Sequence, residues 1–430
     1  PGYIFVAPKI TAPGTTGQQG PEIVDNEGRP VWFSPVTAPD QATDFRVQTY
    51  RGRPVLTWNV GASTGGGGHS AGYDVIANDH YKVIATVHAG NGYQADQHEF
   101  QLTKQGTALI TIYNIVPYDL SSVGGPANGE AYDGIVEEID VRTGKVLFEW
   151  HSLDHVPLSD SYAPVPTSPT TPYDYFHINA VKVASDGNLL IDSRHTWTVY
   201  KVNRHTGAII WRLGGKQSSF KLGPGVPFAW QHDPEDVGHD TLRIFDNESN
   251  GTPVLPYSRV IWVHLNTHDW TATLVKQDVH PDHLSAGSQG DAQGLPNGDT
   301  FVGWGATGRF SEFDPAGNLL YDASVPTGYD TYRAYRFPWV GEPDTRPTAG
   351  GTDNGDGTET IDAVWNGATQ VRTWEVLGGS DPHHLHPIGS APWKGLDTPI
   401  TLTTGASLVE VVALDAHGHR IGASAPAWVS

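Results

Sequence analysis

The sequence predicts an all-β protein: a six-bladed β-propeller followed by a small C-terminal β-sandwich of fibronectin- or immunoglobulin-like type. Three observations predict it. Two hairpin signatures alternate through residues 1 to about 342. The stretch 175–214, YFHINAVKVASDGNLLIDSRHTWTVYKVNRHTGAIIWRLGG, reads as four short strands in succession, the content of one blade. Near residue 343 the texture changes to a Gly/Asp/Thr/Pro-rich segment followed by a second run of short strands. With 430 residues, 50 glycines and 32 prolines, the chain suits many strands joined by tight turns.

The first signature is a turn followed by a strand with an aromatic. It occurs at 25–33 (DNEGRPVWF), 140–150 (DVRTGKVLFEW), 203–213 (NRHTGAIIWRL) and 314–323 (DPAGNLLYDA). Each reads as the hairpin joining the two outer strands of a blade. The second is a polar strand start, a turn and an apolar strand. It begins at His98, His177, His232 and Gln289. VQTYRGRPVLTWNV supplies an earlier inner hairpin, and YRAYRFPWV a late strand to close the ring. Blades of about 50–60 residues fill the region at a count within the usual four to eight.

The segment GEPDTRPTAGGTDNGDGTE is expected to be a linker or an exposed turn cluster. After it TIDAVWNG, VRTWEVLGG, ITLTTG, SLVEVVALDAHG and ASAPAWVS read as strands of the sandwich, giving domains 1–342 and 343–430. DPHHLHP (381–387) reads as a solvated loop rather than a metal site, because Pro387 and missing carboxylate partners leave no defined geometry. No long amphipathic helix is expected.

The formal charge of −21 repels nucleic acid and anionic membrane, so neither is expected as a partner. An anionic ligand then needs a local basic pocket. The absence of cysteine excludes disulfides, thiolate metal sites and a cysteine nucleophile. Methionine is also absent, an initiator included, which reads as a chain trimmed to begin at Pro1. No apolar run is long enough to span a bilayer as a helix. Asn247 and Asn250 stand in short sequons. The sequence carries no signal of an oligomeric state.

The chemistry is expected at one mouth of the channel. If Asp186-Gly187 is a two-residue turn, Asn179 faces Arg194, and His177 shares its face. His98, His177, His232 and Gln289 occupy equivalent inner-strand starts, and Arg194 ends a second strand, so repeat symmetry gathers them at one pocket. Glu99, Asn179, Asp233 and Ser288 are their neighbours. His69, His195 and His283 lie near rim loops; His80, His151, His205 and His268 read as ordinary turn or outer-strand residues. Three histidines also suit a metal, but a fixed guanidinium beside a divalent ion costs Coulomb energy. Arg and Asn donate to anionic oxygens, and a neutral histidine is a competent nucleophile. No metal or organic cofactor is expected.

At DQHEF (96–100), YFHINAV (175–181), DSRH (192–195), FAWQHD (228–233) and SQGDAQGLPNGDT (288–300) the chain resembles the arylsulfotransferase family, whose members need no nucleotide sulfate donor. The likeness runs over most of residues 20–340. It implies a six-bladed propeller and ping-pong transfer of a sulfuryl group from an aryl sulfate to a phenol through a sulfohistidine. It implies His232 as nucleophile and His177, Asn179 and Arg194 as binders of the sulfuryl oxygens. His98 would be general acid and base, and Gln289 or Ser288 would complete the oxygen shell. Together with composition it implies a secreted or extracytoplasmic protein. The C-terminal sandwich departs from the best-known bacterial members, whose extra β-domain precedes the propeller. Two other readings stand beside this one. One is a lyase or hydrolase on an acidic glycan, the hydrolase using Glu99, Asp233 or Asp291. The other is a ligand-binding propeller without turnover.

Overall fold

The computed structural model describes residues 2–65 and 67–430, and Pro1 lies outside the described residues. The described chain is all-β apart from short 3-10 turns. None of its helices is long and apolar enough to cross a membrane.

Residues 3–337 form six sheets of four antiparallel strands, consecutive in sequence in five of them, one extended by a short fifth strand that pairs in parallel. Their innermost strands are Asp40–Tyr50, Phe100–Leu102, Ile178–Val183, His232–Asp236, Asp291–Gly294 and Ala334–Phe337. These strands pack neighbour against neighbour. Between Phe100–Leu102 and Ile178–Val183 the link is a hydrogen bond from the Val183 N–H to Gln101 Oε1 (3.2 Å). The last sheet joins both ends of the region: Tyr3–Val6 pairs with Ala334–Phe337 on one side and Glu22–Val24 on the other. Apolar faces of adjacent sheets bury one another. Leu109 and Val136 meet Val181 and Ile191, and Leu190 and Leu213 meet Ile244 and Val263. Each such side chain contributes about 1.5–3 kcal/mol on burial.

The axis is filled by ions rather than by apolar side chains. Arg333 contacts Asp44 and Glu99 (both 3.1 Å), and Lys182 contacts Glu99 (2.9 Å) and Asp233 (2.8 Å). Arg46 pairs with Glu99 and with Asp44. All six are buried. Acidic and basic residues on successive inner strands thus neutralise each other, which low-dielectric burial requires.

The expected hairpin at Asp186-Gly187 forms with a different register. Its loop has three residues: the Ala184 N–H donates to the Asn188 carbonyl, and the Gly187 N–H to the Ala184 carbonyl. Gly187 takes φ 84°, which glycine adopts without steric cost. Ala180 therefore pairs with Asp192 and Ile178 with Ser193, leaving Asn179 as the extra residue of a bulge. The Arg194 N–H donates to the His177 carbonyl, not opposite Asn179.

After residue 342 the expected linker contains a strand, Thr348–Asp353, which pairs with Glu359–Val364 and through it with Asp397–Leu402. A second sheet holds His386–Pro392, Thr373–Gly379, Leu408–Leu414, Arg420–Ala423 and Ala427–Trp428. Ile361 and Ile400 of the first meet Trp374 and Val411 of the second in one core. The segment read as a histidine loop is loop only in part, since His386 opens an edge strand. The Leu396 N–H donates to the Pro30 carbonyl (2.7 Å) and the Gly367 N–H to the Val31 carbonyl (2.8 Å), tying this unit to an outer strand of the last sheet.

Candidate active site

A cavity of about 380 Å³ opens where the inner strands begin. His98, His177, Arg194, His232, Ser288, Gln289, Tyr332 and Lys9 line it, with Gln41, Gln97 and Asn250, and among the described residues no carboxylate does. Repeat geometry explains the convergence: each histidine stands at or just before the first residue of an inner strand. His177, Trp230, Asp233 and Gln289 all take left-handed backbone, with φ between 49° and 66°. Such conformations cost non-glycine residues about 1–3 kcal/mol each and cluster at functional sites. Gly305 packs on this strained segment, and a Cβ there would meet the Ser288 carbonyl oxygen at 2.4 Å.

His98 is buried, and its Nδ1 is hydrogen-bonded to Asp96 Oδ1. Asp96 is in turn fixed by the Ser70 N–H (2.8 Å). The His98 ring lies 5.2 Å from that of His177 and 5.5 Å from that of Tyr332.

His177 Nδ1 lies 2.5 Å from Asp174 Oδ2, and His69 Nε2 reaches the same oxygen at 3.0 Å. Burial holds His177 well below its ordinary pKa, outweighing Asp174. Burial pushes Asp174 up, but the facing His177 and His195 prevail and hold it well below the carboxylate range. Asp174 is thus the ion and His177 the neutral donor, which leaves Nε2 of His177 with a lone pair for the cavity. His69, Asp174 and His177 offer ligand atoms within 4.8 Å of one another. Their mutual hydrogen bonds already account for that closeness.

Arg194 is a buried cation with no carboxylate in contact among the described residues. Its Nη2 donates to the Gly287 carbonyl (2.8 Å) and its Nη1 to His195 Nε2 (3.0 Å). Its guanidinium carbon stands 5.1 Å from the centroid of the Trp230 ring. Burial lowers its pKa, yet a guanidinium remains charged. An uncompensated buried cation attracts an anion.

His232 Nδ1 faces Asn247 Oδ1 (2.7 Å) and the Trp230 carbonyl (3.1 Å). Its Nε2 accepts the Gln289 N–H (3.2 Å). Burial, and then Arg194, keep it well below its ordinary pKa, so the imidazole is neutral.

Asn179 is set back from the cavity. It is fully buried, and its Nδ2 donates to the Gln231 carbonyl (2.7 Å), the peptide preceding His232. Gln289 lines the cavity, but its side-chain Nε2 donates to Asp330 Oδ2 (3.1 Å). Ser288 lines it too. Glu99 and Asp233 point into the axial ion network: Arg333, Lys182 and Arg46 hold Glu99 down to about 2 against burial, and Lys182 and Arg333 lower Asp233 likewise. Burial pushes Asp291 well up, and its Oδ1 accepts the Ala334 N–H (2.9 Å). A glycosidase pair needs carboxyls facing the substrate; these three face the protein. His195 joins the Asp174 cluster, whereas His283 does not line the cavity and lies with its ring tilted against Tyr257 (5.0 Å between centroids). His80 contacts Asp344, and His151 contacts Asp133 and Glu149.

Sequence reasoning missed Asp96, Asp174, Asn247 and Tyr332. Asp96 lies in the quoted DQHEF, two residues from its histidine, and Asp174 three residues before His177. Proximity was the available signal for both. Asn247 follows Thr241–Asp246, the strand paired with His232's own, as Arg194 follows Leu189–Ser193, so repeat position was its available signal. Tyr332 comes from the last sheet, with no local sign.

A family model of arylsulfotransferase (ASST) matches residues 46–325. A comparison with functionally curated proteins finds no match. Among solved structures, a protein of unknown function from Bacteroides caccae is similar at 11% identity, TM-score 0.45, covering 78% of this chain and 99% of that one. A catalytically inactive virginiamycin B lyase from Staphylococcus aureus with quinupristin is similar at 10% identity, TM-score 0.35, covering 87% and 96%. The family match spans well over half of the sequence, and the chain belongs to the arylsulfotransferase family.

Proposed function

We propose that this member of the arylsulfotransferase family moves a sulfuryl group from an aryl sulfate to a phenol by a ping-pong reaction through sulfated His232. The six sheets of residues 3–337 read as the blades of a six-bladed propeller, domain 1–342. The two sheets after residue 342 read as a β-sandwich, domain 343–430. The observation that carries the chemistry is Arg194: a buried guanidinium without a carboxylate, facing a cavity without a carboxylate, in a chain of charge −21. Asp174 offsets that charge only in part, from behind His195, so on the cavity side an incoming anion completes the neutralisation.

In the first half-reaction the lone pair of His232 Nε2 attacks sulfur. The N–S bond forms while the S–O bond to the aryl oxygen breaks, and that oxygen leaves with the electron pair. His98, oriented by Asp96, gives it a proton. In the second half, the acceptor phenol loses its proton to His98, its oxygen attacks sulfur, and the N–S pair returns to Nε2. Arg194, His177 and the peptide segment of Ser288 and Gln289 hold the sulfuryl oxygens. Asn179 acts one step back, fixing the Gln231 peptide. Positioning and electrostatics carry most of such a loose transfer.

The test is p-nitrophenol release from p-nitrophenyl sulfate, with and without a second phenol, by wild type and His232→Ala. Release that rises with acceptor and disappears in the variant supports the reading. No release across a panel of phenols contradicts it.

A further inference from the structure

We propose that Asn247 is a positioning residue that fixes the tautomer of His232, with the proton on Nδ1 and the lone pair on Nε2. Three contacts agree on this. The backbone N–H of Gln289 is necessarily a donor, and it points at His232 Nε2 (3.2 Å), so that nitrogen is unprotonated. A neutral ring then carries its proton on Nδ1, which faces Asn247 Oδ1 at 2.7 Å. The orientation of that amide is fixed independently. Asn247 Nδ2 donates to two carbonyls, Ala286 (3.0 Å) and Gln289 (2.9 Å), so the oxygen is the atom left for His232.

The result is a closed circuit. His232 donates to Asn247, Asn247 donates to the Gln289 carbonyl, and the Gln289 amide donates back to His232. The left-handed backbone of Gln289 (φ 66°) aims that N–H at the ring. Asn247 is fully buried, and its own carbonyl accepts the Ser258 hydroxyl (2.7 Å), so the circuit is anchored to a neighbouring strand. A neutral imidazole attacks only through its unprotonated nitrogen, and the ring in the other tautomer has no nucleophile at Nε2. The amide N–H that occupies Nε2 at rest is then free to donate to a sulfuryl oxygen once the N–S bond forms. The catalytic consequence rests on reading His232 as the nucleophile; the tautomer itself does not.

The experiment is long-range ¹H–¹⁵N correlation on protein labelled with ¹⁵N-histidine, the His232 signals identified by their loss in His232→Gln. The expected wild-type pattern is a protonated Nδ1 and an unprotonated Nε2. Asn247→Asp keeps an acceptor for Nδ1 and is expected to keep the pattern. Asn247→Leu leaves Nδ1 only the longer contact to the Trp230 carbonyl (3.1 Å). It is expected to let the other tautomer appear, and to lower kcat roughly 10- to 100-fold with KM nearly unchanged, the scale of removing an outer partner that orients a catalytic ring. A wild-type His232 protonated at Nε2 overturns the proposal whether or not the variants fold. An unchanged Nδ1-protonated ring in Asn247→Leu overturns it equally. Because the tautomer is read without substrate, failure here is distinct from failure of the sulfuryl-transfer reading.

Discussion

Arg194 Nη2 donates to the Gly287 carbonyl at 2.8 Å, joining the cavity's buried cation to the segment that carries Ser288 and Gln289. That bond and the one from Nη1 to His195 Nε2 (3.0 Å) hold the guanidinium, and among the described residues no carboxylate in direct contact offsets its burial. Arg194→Met therefore removes an anion site and an uncompensated charge together. Sulfate or aryl sulfate affinity is expected to fall about 10- to 100-fold, matching about 1.5–3 kcal/mol for a charge-assisted hydrogen bond. Thermal stability without ligand is expected not to fall. Melting curves with and without sulfate check both: sulfate raises the Tm of wild type and leaves the variant unmoved.

His177 presents an unprotonated Nε2 to the cavity because Nδ1 is committed to Asp174. To donate to a sulfuryl oxygen it must first take up a proton. Anion binding is therefore expected to take up protons and to tighten as pH falls, since the free imidazole is held neutral well below its ordinary pKa. Calorimetry in two buffers of different ionisation enthalpy measures the uptake; binding without it removes His177 as a donor.

Glu99 lies among Arg46, Lys182 and Arg333, and breaking a buried ion cluster by removing one partner costs about 3–5 kcal/mol. Glu99→Gln is expected to destabilise the fold by that amount in denaturant titrations. Below the unfolding transition it is expected to retain activity, because the carboxylate does not line the cavity.

The inner hairpins were legible because each has a polar start, a turn and an apolar strand, as in His232–Asp236 with Thr241–Asp246. The clustering of His98, His177, Arg194 and His232 followed from equivalent repeat positions. What escaped was set by single-residue offsets. A three-residue loop at Asp186-Gly187 and a bulge at Asn179 have no distinct signature, yet together they turn Asn179 toward the Gln231 peptide. The axial ion network escaped because Asp44, Lys182 and Arg333 come from three distant strands. Asn247 showed as a sequon, a surface feature, rather than by its repeat position, although it is fully buried.

The folded chain holds His177 and His232 neutral below pH 6.5, where unfolded histidines bind protons. Each therefore makes stability fall as pH drops through that value, by about 1.4 kcal/mol per pH unit. His232→Gln removes one such group. Its stability is expected to fall less steeply than that of wild type between pH 6.5 and 5, as measured by denaturant titrations across that range.

The most direct measurement is a search for the covalent intermediate. Wild-type protein is mixed with p-nitrophenyl sulfate without acceptor, quenched under alkaline conditions and digested, and its peptides are weighed. The expected result is one sulfuryl group on the peptide containing His232, removed by adding phenol before the quench and absent from His232→Ala. Sulfation of another residue, or full transfer to phenol by the His232→Ala protein, would contradict the assignment of His232 as the group that carries sulfur.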